Sequence, residues 1–575
     1  MSYAGKSTQI TAGLESICYF WGPMQNQHRT YFIILAGIIL IQLNGCRPKY
    51  PEEVSKTVFR YNESAGITSL DPAFARNQAN IWAVNQLFCG LVQLDDSLKV
   101  QPCITSSWEI SADGKEYTFH LRKDVSFHDS WVFPNGKGRI VKASDFVYSF
   151  GRITDSTVAS PGAWVFANVE KKDSHYSFEA IDDSTFYIKL GKPFPPFLSL
   201  LSMQYCAVVP FEAIAKYSSD FRRNPVGTGP FRLKLWKEGV KLVMVKNEKY
   251  FETDKGKHLP FLDAVAVSFI IDKQAAFLEF VKGNLDFMSG IDASYKDEML
   301  TPDGKLNPKY TKGIKLLTGQ YLNTEYLGIQ VDPSLSVVKQ SPLRMKMIRQ
   351  AINYGFDRRR MMHYLRNSIG VPGTGGFIPP GLGGSDTANN SGYNYNPGKA
   401  CALLAEAGFP GGKGLPPITL TTNPSYLDLC KYMQSQLNEI GFDIRIDVTP
   451  PATLREMIAQ AKVNFFRGSW IADYPDAENY LSLFYSGNFC PDGPNYTHYS
   501  NKVFDELYKT AQQESDDQLR FEYYRKMDRM MMEEAPVVVL YYDQVLRFTR
   551  QNITDFGCNP MNLLNLKHVK KTNNY

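Results

Sequence analysis

No cysteines in this 575-residue chain stand at CxxC spacing, and none of its eight histidines fall at HxH or HxxxH spacing. Zinc-ribbon, dithiol and helical histidine metal signatures are therefore excluded. Also missing are a GxSxG elbow, an HExxH helix, and any Walker or dinucleotide glycine loop, so the sequence carries no hydrolase or nucleotide-enzyme signature. A charge excess is missing too: 63 Lys and Arg face 58 Asp and Glu, a formal +5. So small a surplus over so long a chain argues against a nucleic-acid surface. The densest basic cluster, Arg358-Arg359-Arg360, reads as a solvated helix end. Long apolar runs are almost absent. What remains is an ordinary globular composition, 43% hydrophobic and 13% aromatic, with length for two or three packed units.

The one apolar run, Tyr31 to Leu43, is too short for a hydrocarbon core that needs roughly 20 helical residues, but suits the h-region of a secretory signal. It ends in Leu43-Asn44-Gly45-Cys46, which resembles the bacterial lipoprotein signal. Cys46 is then the lipidated first residue of the mature chain, 1–45 the signal peptide, and 46–55 a lipid-anchored tether. Met24 gives the signal a conventional short n-region, making 1–23 an overextended start. An uncleaved anchor is the alternative. Past Cys46 there are seven cysteines, at 89, 103, 206, 401, 430, 490 and 558. Their spacing reveals no disulfide, and buried free thiols are expected.

Beyond the tether, Thr57–Tyr61 reads as a strand, and Ile81, Val84, Leu87, Phe88 and Leu91 recur at helical spacing. Residues 108–150 alternate around Asp113-Gly114 as a hairpin, with Val125–His128 as a further partner segment. Alternation returns at 176–180 and 185–190, so a β-rich unit without long helices is expected. Farther on, Ser341-Pro342 and Asn396-Pro397 start helices. Strand Ile418–Thr422, a helix to Ile440, strand Ile444–Val448, helix Thr453–Ala461 and strand Val463–Trp470 follow. That order predicts a parallel sheet with ligand beyond its carboxyl ends. There the chain reads Arg467-Gly468-Ser469-Trp470-Ile471-Ala472-Asp473-Tyr474.

Seven segments in register carry a family resemblance: YTFHLRKDVSFHD (117–129), VKASDFVYSFGRI (141–153), VGTGPF (226–231), GNLDF (283–287), SPLRMKMIRQAINYGFDR (341–358), NPGKACALLAEAGF (396–409) and SWIADYPDAENYL (469–481). From about Val58 to Leu566 the chain resembles the family 5 extracellular solute-binding proteins, the oligopeptide- and dipeptide-binding group. The resemblance implies an α/β, two-lobed periplasmic-binding-protein-like fold of type II, with an additional β-rich domain inserted in lobe I. Lobe I would comprise 56–97, 206–310 and 541–575, the insert 98–205, and lobe II 311–540. It also implies a membrane-tethered, extracytoplasmic monomer without cofactor or metal that catalyses nothing. Such a protein closes its lobes over short peptides, roughly two to five residues long, and delivers them to an ABC permease.

A free peptide is a zwitterion, so enclosing it leaves two charges in need of partners. On the family pattern Asp473 grips the ligand ammonium, Arg467 meets its carboxylate, and Trp470 walls a side-chain pocket. The backbone of Ser469 to Ile471 pairs with the ligand as an added strand. Lobe I contacts fall on Asn77 to Ile81, with Asn77, Gln78 and Ala79 foremost. Ile471 stands where some oligopeptide binders have a cysteine, which removes a disulfide there. The bland alternatives are a helix cap for Asp473, a local ion pair for Arg467 and plain core for Trp470. Two rival functions stay open: the same fold holding a nickel chelate, haem, oligosaccharide or opine, and a secreted hydrolase.

Overall fold

The computed structural model describes residues 56–173, 175–386 and 392–572. The expected signal peptide, the lipidation site at Cys46 and the tether lie outside the described residues.

Strand β1 (Val58–Asn62) turns Phe59 and Tyr61 into the core. Helix α1 (Gln78–Leu87) starts where the Asn77 side chain accepts from the Asn80 amide at 3.0 Å. A short hairpin, β2 (Val92–Leu94) and β3 (Val100–Pro102), follows. The β-rich region is a four-stranded antiparallel sheet in the order β4 (Thr105–Ile110), β5 (Glu116–Leu121), β7 (Thr185–Lys189), β6 (Phe178–Ala180). Tyr117, Phe119 and Leu121 alternate inward along β5, the period a half-buried strand requires. The region also holds α2 (Ala143–Thr154), a 12-residue helix that corrects the expectation of no long helices. Ala143, Phe146, Phe150 and Ile153 share its buried face, and the Phe146 and Phe150 rings lie 5.7 and 5.5 Å from Phe186 on the sheet. Nor does Val125–His128 form a strand. It makes one bridge, Ser126 to Ile140, and the His128 amide then donates to the Gly227 carbonyl at 2.7 Å rather than to that partner.

The main sheet is built from β8 (Phe231–Lys237), β9 (Lys241–Lys246), β10 (Ala264–Ser268) and, after helix α3 (Lys273–Lys282), β11 (Phe287–Ser289). Next come β12 (Ile314–Ile329) and helices α4 (Lys346–Tyr354), α5 (Arg358–Arg366) and α6 (Pro397–Glu406). Ser341-Pro342 opens a single 3-10 turn, and α4 begins after it at Lys346. The alternating part is β13 (Ile418–Thr422), α7 (Leu427–Glu439), β14 (Ile444–Val448), α8 (Pro451–Ala459) and β15 (Phe465–Ile471). The chain closes through α9 (Glu478–Leu481), α10 (Lys502–Ala511), α11 (Asp517–Glu534) and β16 (Val537–Arg550). Strand order is β8-β9-β10-β1-β11-β16-β12-β15-β13-β14. β13 pairs in parallel with both β14 and β15, as the strand-helix alternation predicts.

Two long antiparallel strands, β12 and β16, run through the middle of the sheet. The 16 residues of β12 reach about 50 Å at ~3.3 Å each. Their ladder breaks in the middle: Gln320 faces Gln544 and Thr324 faces Tyr542, so residues 321–323 bulge opposite Asp543. Separate buried clusters pack on either side of this break. One runs from Phe59 to Phe287 and takes in Ile553–Val569. Another joins Leu327 and Ile329 to Ile418, Leu420, Phe465 and Val538.

A candidate ligand cleft beside the interlobe bulge

β15 lies antiparallel to β12, with Asn323 opposite Ile471, Thr324 opposite Trp470 and Glu325 opposite Ser469. On its other edge β13 pairs only with Phe465 and Phe466. From Arg467 to Ile471 that edge meets no strand among the described residues, so its backbone groups are open to an extended guest.

The chain then turns away from the sheet. Asn479, at the second position of α9, organises the turn: its Oδ1 accepts from the Trp470 indole N–H at 2.9 Å and from the Asp473 amide at 3.1 Å. Its amide nitrogen donates to Asp473 Oδ2 at 3.4 Å. Among the described residues no Lys, Arg or His pairs with Asp473. Its side chain is exposed to solvent on the cleft side, although protein is packed around it on the others. That surrounding mass holds the carboxyl above the ordinary carboxylate range, with only Asn479 opposing.

Asp473 lines a cavity of about 270 Å³. Gln78, Ile81 and Trp82 of α1 form one wall and Tyr321 of the bulge another; Arg76, Trp164, Gln204 and Tyr205 also line it. Burial, then the nearby Asp473 charge, pushes the Tyr205 hydroxyl up to about 12. A second cavity of about 320 Å³ shares Gln78, Trp82 and Tyr321 and continues past Asp543 and Gln544. Joined at these shared residues, the two make one cleft, in which aromatic and apolar side chains mix with Arg76, Gln204 and Asp473 at one end and the lining is more polar at the other.

Three of the residues expected in the site come together here: Asp473 and Ile471 line the cavity, and Trp470 reaches Asn479 beside it. From α1, Gln78 faces the cleft, whereas Asn77 is occupied in capping and Ala79 lies in the core. Arg467 is committed elsewhere. With its side chain 11% exposed, it pairs with Glu325, itself 6% exposed, and stacks on the Tyr426 ring. Burial works against the Arg467 charge and Glu325 more than restores it, leaving the guanidinium above its ordinary range. Ser469 donates to the same carboxylate at 2.8 Å and accepts from the Asn323 side-chain Nδ2 at 2.9 Å. Asn479, Tyr321, Trp164 and Tyr205 were not singled out in the sequence. Only their tertiary placement brings them to Asp473, and no local spacing marks it.

Residues 99–489 match the model of the bacterial extracellular solute-binding proteins, family 5, middle region. The chain belongs to this family. Family 5 members are extracytoplasmic or periplasmic binding proteins, not enzymes. The dipeptide-binding protein of Escherichia coli (strain K12) is 25% identical over 486 residues, covering 82% of this chain and 86% of that protein. A glutathione-binding protein, GsiB of Salmonella typhimurium, is 26% identical over 92% of this chain and 98% of its own. Among solved structures, the DppA periplasmic binding protein from Helicobacter pylori, in complex with peptide STSA, superposes with a TM-score of 0.72 at 24% identity. It covers 90% of this chain and 98% of that one. The fold of this family 5 chain is thereby that of a type II periplasmic binding protein. Among the described residues no helix is long and apolar enough to cross a membrane, and no group of three His, Cys, Asp or Glu could hold a metal ion.

Proposed function

We propose that this family 5 protein captures short peptides with a free N-terminus outside the cytoplasmic membrane and hands them to an ABC permease. Dipeptide- and glutathione-binding relatives support the ligand class. The observation that carries the reading is Asp473, a carboxylate that forms no ion pair among the described residues although Arg76 lines the same cavity, at the end of a cleft bordered by an open strand edge. A peptide supplies what both lack, an ammonium for the carboxylate and a main chain for the edge. Arg467, already neutralised, acts by stiffening β15. The polar end of the cleft receives the remainder of a guest of roughly two to five residues, whose side chains meet Trp164, Trp82 and Tyr321.

We assign lobe I to 56–97, 206–310 and 541–575, the insert to 98–205 and lobe II to 311–540. Closure is a rotation about the bulge at 321–323, where the β12–β16 ladder is already interrupted. Cys46 supplies a lipid tether, and the protein works as a monomer. Small-angle scattering tests the closure: tripeptide addition reduces the radius of gyration, and an unchanged value refutes it. Incubation with a peptide mixture separates receptor from hydrolase, since unchanged peptide is recovered from the former and fragments from the latter.

A further inference from the structure

Cys89 follows the end of α1, and Cys103 directly follows β3. The ladder ends at Val92 and Pro102, and the chain bends on both sides of it, but the two segments stay bonded: the Cys103 amide donates to the Leu91 carbonyl at 3.1 Å and the Ile104 amide to the Gly90 carbonyl at 3.2 Å. Cys89 and Cys103 are the residues immediately before the two joined by the second of these bonds. The Leu91 carbonyl also accepts from Thr105 at 3.1 Å, which draws the two strands together at this point. Both side chains border one cavity of about 120 Å³, next to Gln93 and Lys567. Both are buried, at 8% and 5% exposure. The Cys89 thiol is the foremost influence on Cys103, raising it well above an ordinary thiol, ahead of burial. Cys206, by contrast, is raised by burial alone.

We propose that Cys89 and Cys103 form a disulfide that staples the end of α1 to the β2–β3 hairpin. The inference rests on the extracytoplasmic placement proposed above, because only an oxidising compartment keeps such a bond. The step is thiol–disulfide exchange during folding, while the sulfurs are still reachable. One thiolate attacks an oxidised dithiol protein or oxidised glutathione, giving a mixed disulfide, and the second thiolate then displaces it. One S–S bond forms in the chain, one breaks in the oxidant, and the two protons and two electrons leave with the oxidant as two thiols. A covalent clasp here holds α1, which supplies Gln78, Ile81 and Trp82 to the cleft, against the strands behind it.

Trypsin makes the test direct, since cleavage at Lys99 places Cys89 on peptide 77–99 and Cys103 on peptide 100–115. The full chain is refolded in a glutathione redox buffer, its free thiols are alkylated in denaturant, and it is digested without reductant. The expected product is the two peptides joined, lighter by two hydrogens, with the Cys206 peptide singly alkylated as an internal control. Separate, alkylated 77–99 and 100–115 peptides from a chain that has regained its native circular dichroism would overturn the pairing. Refolding sets the potential in the tube, so this result does not depend on where the chain resides. Chain alkylated in living cells reports the compartment instead. Removing the bond with reductant from the refolded chain should lower its melting temperature, and an unchanged melting point would also count against the staple.

Discussion

Asp473→Asn keeps the shape of the side chain and removes its charge. In the ligand-bound protein the change strips an enclosed ammonium of its counter-charge, and losing one partner of such a pair costs about 2–5 kcal/mol. The lower end applies, because the carboxylate is reached by solvent in the empty cleft and the substituted amide oxygen still accepts one hydrogen bond. A loss of about 2 kcal/mol is about 30-fold in Kd. Titration calorimetry with a tripeptide bearing a free N-terminus should show that loss, while the N-acetylated peptide should bind both proteins equally poorly. The wild-type interaction should also weaken in acid. Before peptide binds, the protein packed around Asp473 holds its carboxyl above the ordinary range even though one side is open to solvent, and a bound ammonium lowers it again. The complex therefore binds fewer protons than its components. Affinity is full above the raised value and is lost as pH falls through it. Equal affinity of parent and variant for the free peptide, or an affinity independent of pH, would remove Asp473 from the site.

Other outcomes follow from the same structure. Asn479→Ala leaves the Trp470 indole and the Asp473 amide without their acceptor; it should cost about 1–3 kcal/mol of stability in urea and about tenfold in peptide affinity. Glu325→Gln strands the Arg467 guanidinium in a nearly dry site and should cost about 3–5 kcal/mol, read as a lower urea midpoint with unchanged slope. Asp528, buried beneath the Phe377 amide that donates to it at 2.8 Å, has its carboxyl raised by burial to about 7. The folded form binds that proton more tightly than the unfolded chain, so this group's contribution to stability is full near pH 4 and is lost as pH rises toward 7. Melting temperatures across that range should fall less steeply for Asp528→Asn than for the parent.

The amino-acid sequence determined the elements whose hydrophobic period matches their geometry. Strand β5 and helices α7 and α8 were legible because each buries one face, and one face repeats every two residues in a strand and every 3.6 in a helix. The type II fold followed from seven ordered segments, and the carboxyl end of β15 from the rule for parallel sheets. α2 escaped notice because its aromatic residues sit among strands of the same composition. The long crossing strands escaped because the inner half of β12, from Leu322 to Ile329, is buried on both faces and loses its alternation. Only the tertiary structure decided that Arg467 turns to Glu325, that Asn479 aims Trp470 and Asp473 together, and that the ladder fails at 321–323. Each depends on residues more than a hundred positions apart, or on a turn with no periodic pattern. A carboxylate's partners are set by what surrounds it in space, and sequence spacing carries that information only within a helix or between adjacent strands.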